Sequence, residues 1–159
     1  MFRIFKNRAK ESTINAPVTG VCIDITEVKD EAFSSKLMGD GLAFIPEAST
    51  VYAPCNGKID MIFPSMHAFG IKRDDGLQVL VHIGIDTVNL NGKGFRTHKR
   101  VNDKVRQGEP IISFDSSKFD QKYDMTVMLL IVDNGGSEYE KLTVGEKVDC
   151  GTVVLQKKA

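Results

Sequence analysis

The chain reads as all-β, an antiparallel sandwich or barrel of short strands, and three observations predict this. Short apolar runs recur along its 159 residues, each cut by Gly, Pro, Asn or Asp, the texture of strands joined by turns. The clearest run alternates with period two: Leu77, Val79, Val81 and Ile83 form one face, and Gln78, Leu80, His82 and Gly84 form the other. Helical spacing shows in only two short stretches, neither long enough to organise a fold. The length suits one domain. A content of 42% hydrophobic residues is enough for a core without disulfide or metal staples.

Residues 1–12 are expected to form a flexible tail, followed by a single domain over 13–159. In the tail, Met1, Ile4 and Phe5 share one helical face with Arg and Lys on the other, a faint pattern for weak membrane-surface contact. The ordinary reading of such an end is a solvated tail. No apolar h-region follows the basic start, so it is not a secretory signal. Strands are expected at 20–25, 41–46, 50–53, 57–63, 68–73, 78–83, 111–114, 126–132 and 151–156. A short helix over 31–38 would take Asp30 as N-cap, set Phe33 and Leu37 one turn apart, and stop at Gly39. A second, over 117–123, would set Phe119 and Tyr123 at i, i+4. Ala16-Pro17-Val18-Thr19-Gly20 is echoed by Ala53-Pro54-Cys55-Asn56-Gly57. Val105-x-x-Gly108-Glu109-x-Ile111 is echoed by Leu142-x-x-Gly145-Glu146-x-Val148. Two different elements repeating favours a duplicated β unit over recurring turn chemistry.

Bulk composition excludes several classes. Lys+Arg and Asp+Glu both number 21, so the basic excess typical of nucleic-acid binding is absent. No apolar run approaches the roughly 20 residues of a membrane-spanning helix. Cys22, Cys55 and Cys150 are odd in number and far apart, with no Cys-x-x-Cys, which reads as reduced, partly buried thiols in a cytoplasmic protein.

Chemistry concentrates on two of the three histidines. His67 and His82 lie in adjacent expected strands, and Arg73-Asp74-Asp75-Gly76 between them reads as a tight turn. A hairpin would set the two imidazoles facing each other. His82 projects away from the core face, beside a glycine that leaves room for an approaching group. Facing imidazoles suit two chemistries: metal binding, or phosphoryl transfer through a histidine nucleophile. In the second, one ring attacks phosphorus, the other ring and a hydroxyl such as that of Ser65 donate hydrogen bonds, and an apolar rim limits water. His98, in the polar and basic run 94–100, reads as an exposed loop or strand end.

The stretch Gly76-Leu77-Gln78-Val79-Leu80-Val81-His82-Ile83-Gly84-Ile85-Asp86-Thr87-Val88 resembles the phosphorylation signature of glucose-class enzyme IIA of the bacterial sugar phosphotransferase system. The signature is a glycine, a spacer, three apolar residues, the active histidine, an apolar residue, Gly, an apolar residue, any residue, Thr and an apolar residue, and every position fits. Further likeness is carried by Gly39-Asp40-Gly41-Leu42-Ala43, by 53–59, by His67-Ala68-Phe69-Gly70-Ile71, by Leu90-x-Gly92-x-Gly94-Phe95 and by Val105-x-x-Gly108. It runs from about residue 16 to the C-terminus and is weakest over 116–140.

The resemblance implies a β-sandwich of the duplicated barrel-sandwich hybrid type with two or three short helices. It implies that His82 accepts a phosphoryl group from the carrier HPr and passes it to a cysteine of an enzyme IIB domain for sugar uptake. His67 would stabilise the group without carrying it, and Ser65 would donate a hydrogen bond where relatives usually have threonine. Phe33, Phe63 and Leu80 match rim positions that dock partners, Leu80 standing where an aromatic is common. Asp30 and Asp86 match carboxylates that receive an arginine of HPr. No metal or other cofactor is called for, and a monomer suits one face used by two partners in turn. A zinc metallopeptidase of similar architecture would need His-x-His, but Ile83 and Gly84 follow His82. A zinc ion shared by His67 and His82 is the remaining metal alternative, and a purely regulatory binding module the remaining non-catalytic one.

Overall fold

The computed structural model describes residues 12–115, 117 and 122–159. Most of the expected N-terminal tail and of the expected helix at 117–123 therefore lies outside the described residues. The described chain forms fourteen antiparallel strands: β1 (Thr13–Asn15), β2 (Gly20–Asp24), β3 (Asp40–Pro46), β4 (Thr50–Tyr52), β5 (Gly57–Ile62), β6 (Ala68–Lys72), β7 (Leu77–Ile83), β8 (Phe95–Thr97), β9 (Lys104–Val105), β10 (Pro110–Phe114), β11 (Val127–Asn134), β12 (Tyr139–Lys141), β13 (Lys147–Val148) and β14 (Val153–Lys157). Every expected strand is present within a residue or two. The five that sequence reading passed over are two or three residues long, too short to show a period.

The strands make one eight-stranded sheet, β13-β2-β3-β11-β7-β6-β5-β9, and two three-stranded sheets, β1-β14-β12 and β4-β10-β8. All pair antiparallel. This order is a palindrome of equivalent strands about the β7–β11 pair, whose centre is Val81 opposite Leu129. Hydrogen bonds repeat across the pseudo-dyad. Asn15 N–H donates to the Pro54 carbonyl, and Tyr52 N–H donates to that of Pro17. Cys150 N–H donates to Thr19 Oγ1 at 2.9 Å, and Gln107 N–H donates to Asn56 Oδ1 at 2.7 Å.

The duplication is therefore real, with one change of register from the sequence expectation. Val148 pairs with Gly20 and Val105 with Gly57, so Val105–Gly108 is equivalent to Val148–Gly151 rather than to Leu142–Gly145. Gly145 (φ 88°) instead matches Asn102 (φ 77°), since their N–H groups donate to the equivalent carbonyls of Cys22 and Ile59. Each half has two successive left-handed turns, and sequence similarity aligned one with the next.

The large core lies between the eight-stranded sheet and the two small sheets. Leu77, Val79, Val81 and Ile83 enter it with Phe44, Phe69, Val127 and Leu129, as the alternation of β7 required. The outer face of the same sheet carries a second cluster in which Ala43, Ala68, Leu80, Met128 and Leu130 are covered by Ile25, Val28 and Phe33. Central strands apolar on both faces follow from this double burial.

The cover is the link 25–39, which holds a 3-10 turn (Ile25–Glu27) and the helix α1 (Glu31–Ser34). Asp30 is the N-cap as expected: its side chain accepts from Ala32 N–H at 3.0 Å. The helix is shorter than expected because Lys36 turns left-handed at φ 64°. Phe33 is thus buried while Leu37 is 83% exposed. A second 3-10 turn, Thr87–Leu90, follows β7.

Candidate functional site

His82 lies on the outer face of β7, opposite Ala68 on β6 and Met128 on β11. His67 precedes β6 and is not in the strand pleat. The link 63–67 is tight: Met66 N–H donates to the Phe63 carbonyl at 2.7 Å, and Met66 is left-handed at φ 57°. That turn swings His67 onto the face of His82. The ring centroids are 4.8 Å apart and nearly perpendicular. The expected turn at 73–76 also forms, with Gly76 N–H donating to the Arg73 carbonyl at 3.0 Å.

An aromatic wall encloses the pair. Phe33 lies 4.9 Å from His82 and Phe63 lies 5.3 Å from His67, centroid to centroid. Leu80, two residues before His82 on the same face, is buried with Phe33. Asp30 is half-buried at the start of α1, near enough for its charge to act on His82. Asp86 is exposed and left-handed at φ 60°. Ser65 is half-buried in the turn before His67, and its hydroxyl is hydrogen-bonded to neither ring in this resting arrangement.

The electrostatics favour uncharged imidazoles. Burial, and then the neighbouring His67, lower the His82 pKa to about 4, against the Gly84 carbonyl and Asp30, which favour the cation. Burial also lowers that of His67, with the Ser65 backbone acting in the opposite direction. His82 Nδ1 lies 3.0 Å from the Gly84 carbonyl oxygen. A carbonyl only accepts, so Nδ1 carries the proton and the lone pair is on Nε2. His67 Nδ1 is buried and makes no hydrogen bond of ordinary geometry, with the Ser65 backbone the polar group that acts on the ring.

Such a site can bind an electrophile at Nε2 and surround it with imidazole, aromatic and aliphatic groups. As metal-type donors the two imidazoles stand without a third, since the described residues contain no group of three or more His, Cys, Asp or Glu suited to a metal ion.

Three features escaped sequence reading. A neutral nucleophile calls for a backbone carbonyl on the second nitrogen of His82, but a motif does not say that Gly84 supplies it or that Thr87 is buried beside it. Arg73 is the third: it looks like a solvated turn residue yet is 2% exposed. It donates from Nε and Nη2 to the Asp75 carboxylate at 2.9 Å each, to the Thr13 carbonyl and to the Tyr139 hydroxyl. Thr13 and Tyr139 come from β1 and β12 and anchor the β6–β7 hairpin. His98 is exposed as expected, 2.7 Å from the Ser113 hydroxyl. Cys22 and Cys55 are buried and Cys150 half-buried. Burial pushes the Cys55 thiol up to about 12.

Comparison with known proteins agrees with this fold. The chain is 40% identical over 144 residues to the glucoside-specific EIICBA component of the sugar phosphotransferase system of Staphylococcus carnosus (strain TM300), covering 91% of this chain and 21% of that protein. It is 39% identical over 145 residues to the glucose-specific EIICBA component of the same organism, covering 91% of this chain and 22% of that protein. The chain thus spans about a fifth of the length of these curated relatives. Glucose permease IIA from Mycoplasma capricolum superposes with a TM-score of 0.82 at 34% identity, covering 90% of this chain and 93% of that one. The model of the phosphoenolpyruvate-dependent sugar phosphotransferase system family EIIA 1 matches residues 12–137. With this architecture, the chain belongs to the glucose-type enzyme IIA family of that system.

Proposed function

We propose that the chain is a phosphocarrier whose His82 takes a phosphoryl group from phospho-HPr and passes it to a cysteine of an enzyme IIB domain. The observation that carries this reading is the state of His82: uncharged, wrapped in apolar side chains, and fixed through Nδ1 so that Nε2 holds the free lone pair. In the first step a Nε2–P bond forms as the N–P bond of the donor histidine breaks, and the bonding pair returns to the donor ring. In the second, the cysteine thiolate forms an S–P bond as Nε2–P breaks, and that pair returns to His82. Both transition states are loose, with charge spread over the phosphoryl oxygens. Position, hydrogen-bond donors and exclusion of water are then the main contributions of the protein.

His67 stabilises the bound phosphoryl group, and Ser65 turns its hydroxyl toward it. Phe33, Phe63 and Leu80 form the apolar rim on which both partners dock in turn, with Asp30 and Asp86 pairing with a cationic side chain of the donor. The single domain works as a cytoplasmic monomer and needs no metal. Among the described residues, no helix is long and apolar enough to cross a membrane.

The test is the intact mass after incubation with phosphoenolpyruvate, enzyme I and HPr. One acid-labile phosphoryl group is expected on the wild type and on His67→Gln, and none on His82→Ala. A folded wild type without the group would overturn the carrier reading and favour binding of zinc by the two imidazoles, read by titration of the metal.

A further inference from the structure

We infer that Thr87 is a positioning residue for His82, holding the Gly84 carbonyl on Nδ1 and thereby keeping the Nε2 lone pair free; this rests on the carrier reading of the same site. The strand ends at Ile83 and the chain reverses through Gly84 (φ 77°) and Asp86 (φ 60°). Gly84 takes this conformation freely, but the left-handed Asp86 costs backbone energy and needs outside support. Backbone bonds from the end of the neighbouring strand give part of it: Gly84 N–H donates to the Thr126 carbonyl at 2.9 Å and Ile85 N–H to that of Asp124 at 2.8 Å. These fix the N–H sides of the turn and leave the carbonyl sides to other groups.

Thr87 supplies the side-chain clamp. It is fully buried. Its hydroxyl donates to the Ile83 carbonyl at 2.5 Å, closing the turn onto the strand end. Its methyl carbon lies 2.4 Å from where a Cβ on Gly84 would stand, so it packs directly on the Gly84 backbone. One side chain therefore holds the peptide before Gly84 by a hydrogen bond and Gly84 itself by contact. The carbonyl that selects the His82 tautomer sits at the far side of that residue. Loss of the hydroxyl leaves the Ile83 carbonyl without this donor and lets the turn relax. Nδ1 then loses a fixed acceptor, and the proton redistributes to Nε2, the nitrogen that must attack.

Two readouts test this on the whole chain. The first is the ¹⁵N spectrum of His82 without any phosphoryl donor, which reports the tautomer directly. The wild type and Thr87→Ser are expected to hold the proton on Nδ1, while Thr87→Val populates both tautomers. The second is the rate of phosphoryl acceptance from phospho-HPr. It is expected to fall about tenfold or more in Thr87→Val and to return to within about threefold in Thr87→Ser. An unshifted tautomer in Thr87→Val, or a loss in Thr87→Ser as large as in Thr87→Val, would overturn the inference. If Thr87→Val does not fold, Thr87→Ala takes its place: it also removes the hydroxyl, so a fixed Nδ1–H tautomer there overturns the inference and a mixed one upholds it. If the wild type shows a fixed tautomer but accepts no phosphoryl group, the carrier reading fails while the positioning of His82 stands.

Discussion

Strands β7 and β11 are equivalent across the pseudo-dyad, yet only β7 carries an imidazole. Val81 faces Leu129 at the centre, and the pair His82–Met128 maps onto Leu130–Leu80. Leu130 thus stands where His82 stands in the other half, and it is fully buried in the second cluster. Asp40 likewise stands where His67 stands, since Ile131 pairs with Asp40 as Ile83 bonds to His67. The frame is shared and the links differ. In the half over 50–114, β5 and β6 are joined by the tight turn 63–67, which leaves the face open and adds His67. In the other half, β2 and β3 are joined by the long link 25–39. It folds over the sheet and lends Phe33 and Asp30 to its neighbour's site. One half supplies the reacting ring and the other supplies its cover.

Four predictions break or sharpen this comparison, the largest first. Moving the imidazole across the dyad, with His82→Leu and Leu130→His together, should abolish phosphoryl acceptance. The new ring would sit under the cover with no turn like 83–87 to fix it, and an unpartnered polar group there costs about 1–3 kcal/mol. Mass spectrometry after exposure to phospho-HPr and a denaturant titration read the two effects.

Arg73→Met should cost about 3–5 kcal/mol. It leaves Asp75 half-buried with Lys157 at 3.0 Å and the Leu77 N–H at 3.3 Å as its partners and unties the hairpin from β1 and β12. Urea unfolding measures it. At low pH this loss shrinks. Burial raises the Asp75 pKa, but Arg73 and then Lys157 overcome it and hold the carboxylate well below its usual range. The stabilisation is therefore present above the unfolded pKa near 4 and fades only in strong acid.

Phe33→Ala opens the cover over His82. Burial is the main cause of the low His82 pKa, so relief of burial should move it up from about 4 toward the ordinary histidine value. The sign for stability follows. A histidine whose folded pKa lies below its unfolded value of about 6.5 leaves stability intact above that pH and erodes it as pH falls toward 4. The variant should lose this erosion in part, as NMR titration of His82 and unfolding at pH 7 and pH 5 will show. The smallest effect belongs to Lys141→Met, which removes partly exposed contacts to Asp24 and Asp40 at 2.6 and 2.7 Å. It should cost no more than about 1 kcal/mol.

The legible parts of this molecule were those with local cause. Alternation in β7 fixed which face His82 takes. The N-cap at Asp30 was readable because capping is a short-range bond. The fold class followed from the texture of short alternating strands, His82 from one long motif, and His67 from a separate matching segment over 67–71. What stayed hidden depends on partners far away in sequence. β9 and β13 exist only by pairing with β5 and β2. Arg73 is buried because Thr13 and Tyr139 meet it. Helix α1 stops early because the link must reach β3 through Gly39, which lies tight against the Ile131 backbone: a Cβ on it would come within 2.5 Å of the Ile131 carbonyl oxygen.

The most direct test of the central claim is the position of the phosphoryl group on the modified protein, read by ¹⁵N and ³¹P NMR. The geometry predicts one group on Nε2 of His82, with Nδ1 still protonated toward the Gly84 carbonyl. A group on Nδ1, on His67 or on any other residue would contradict it.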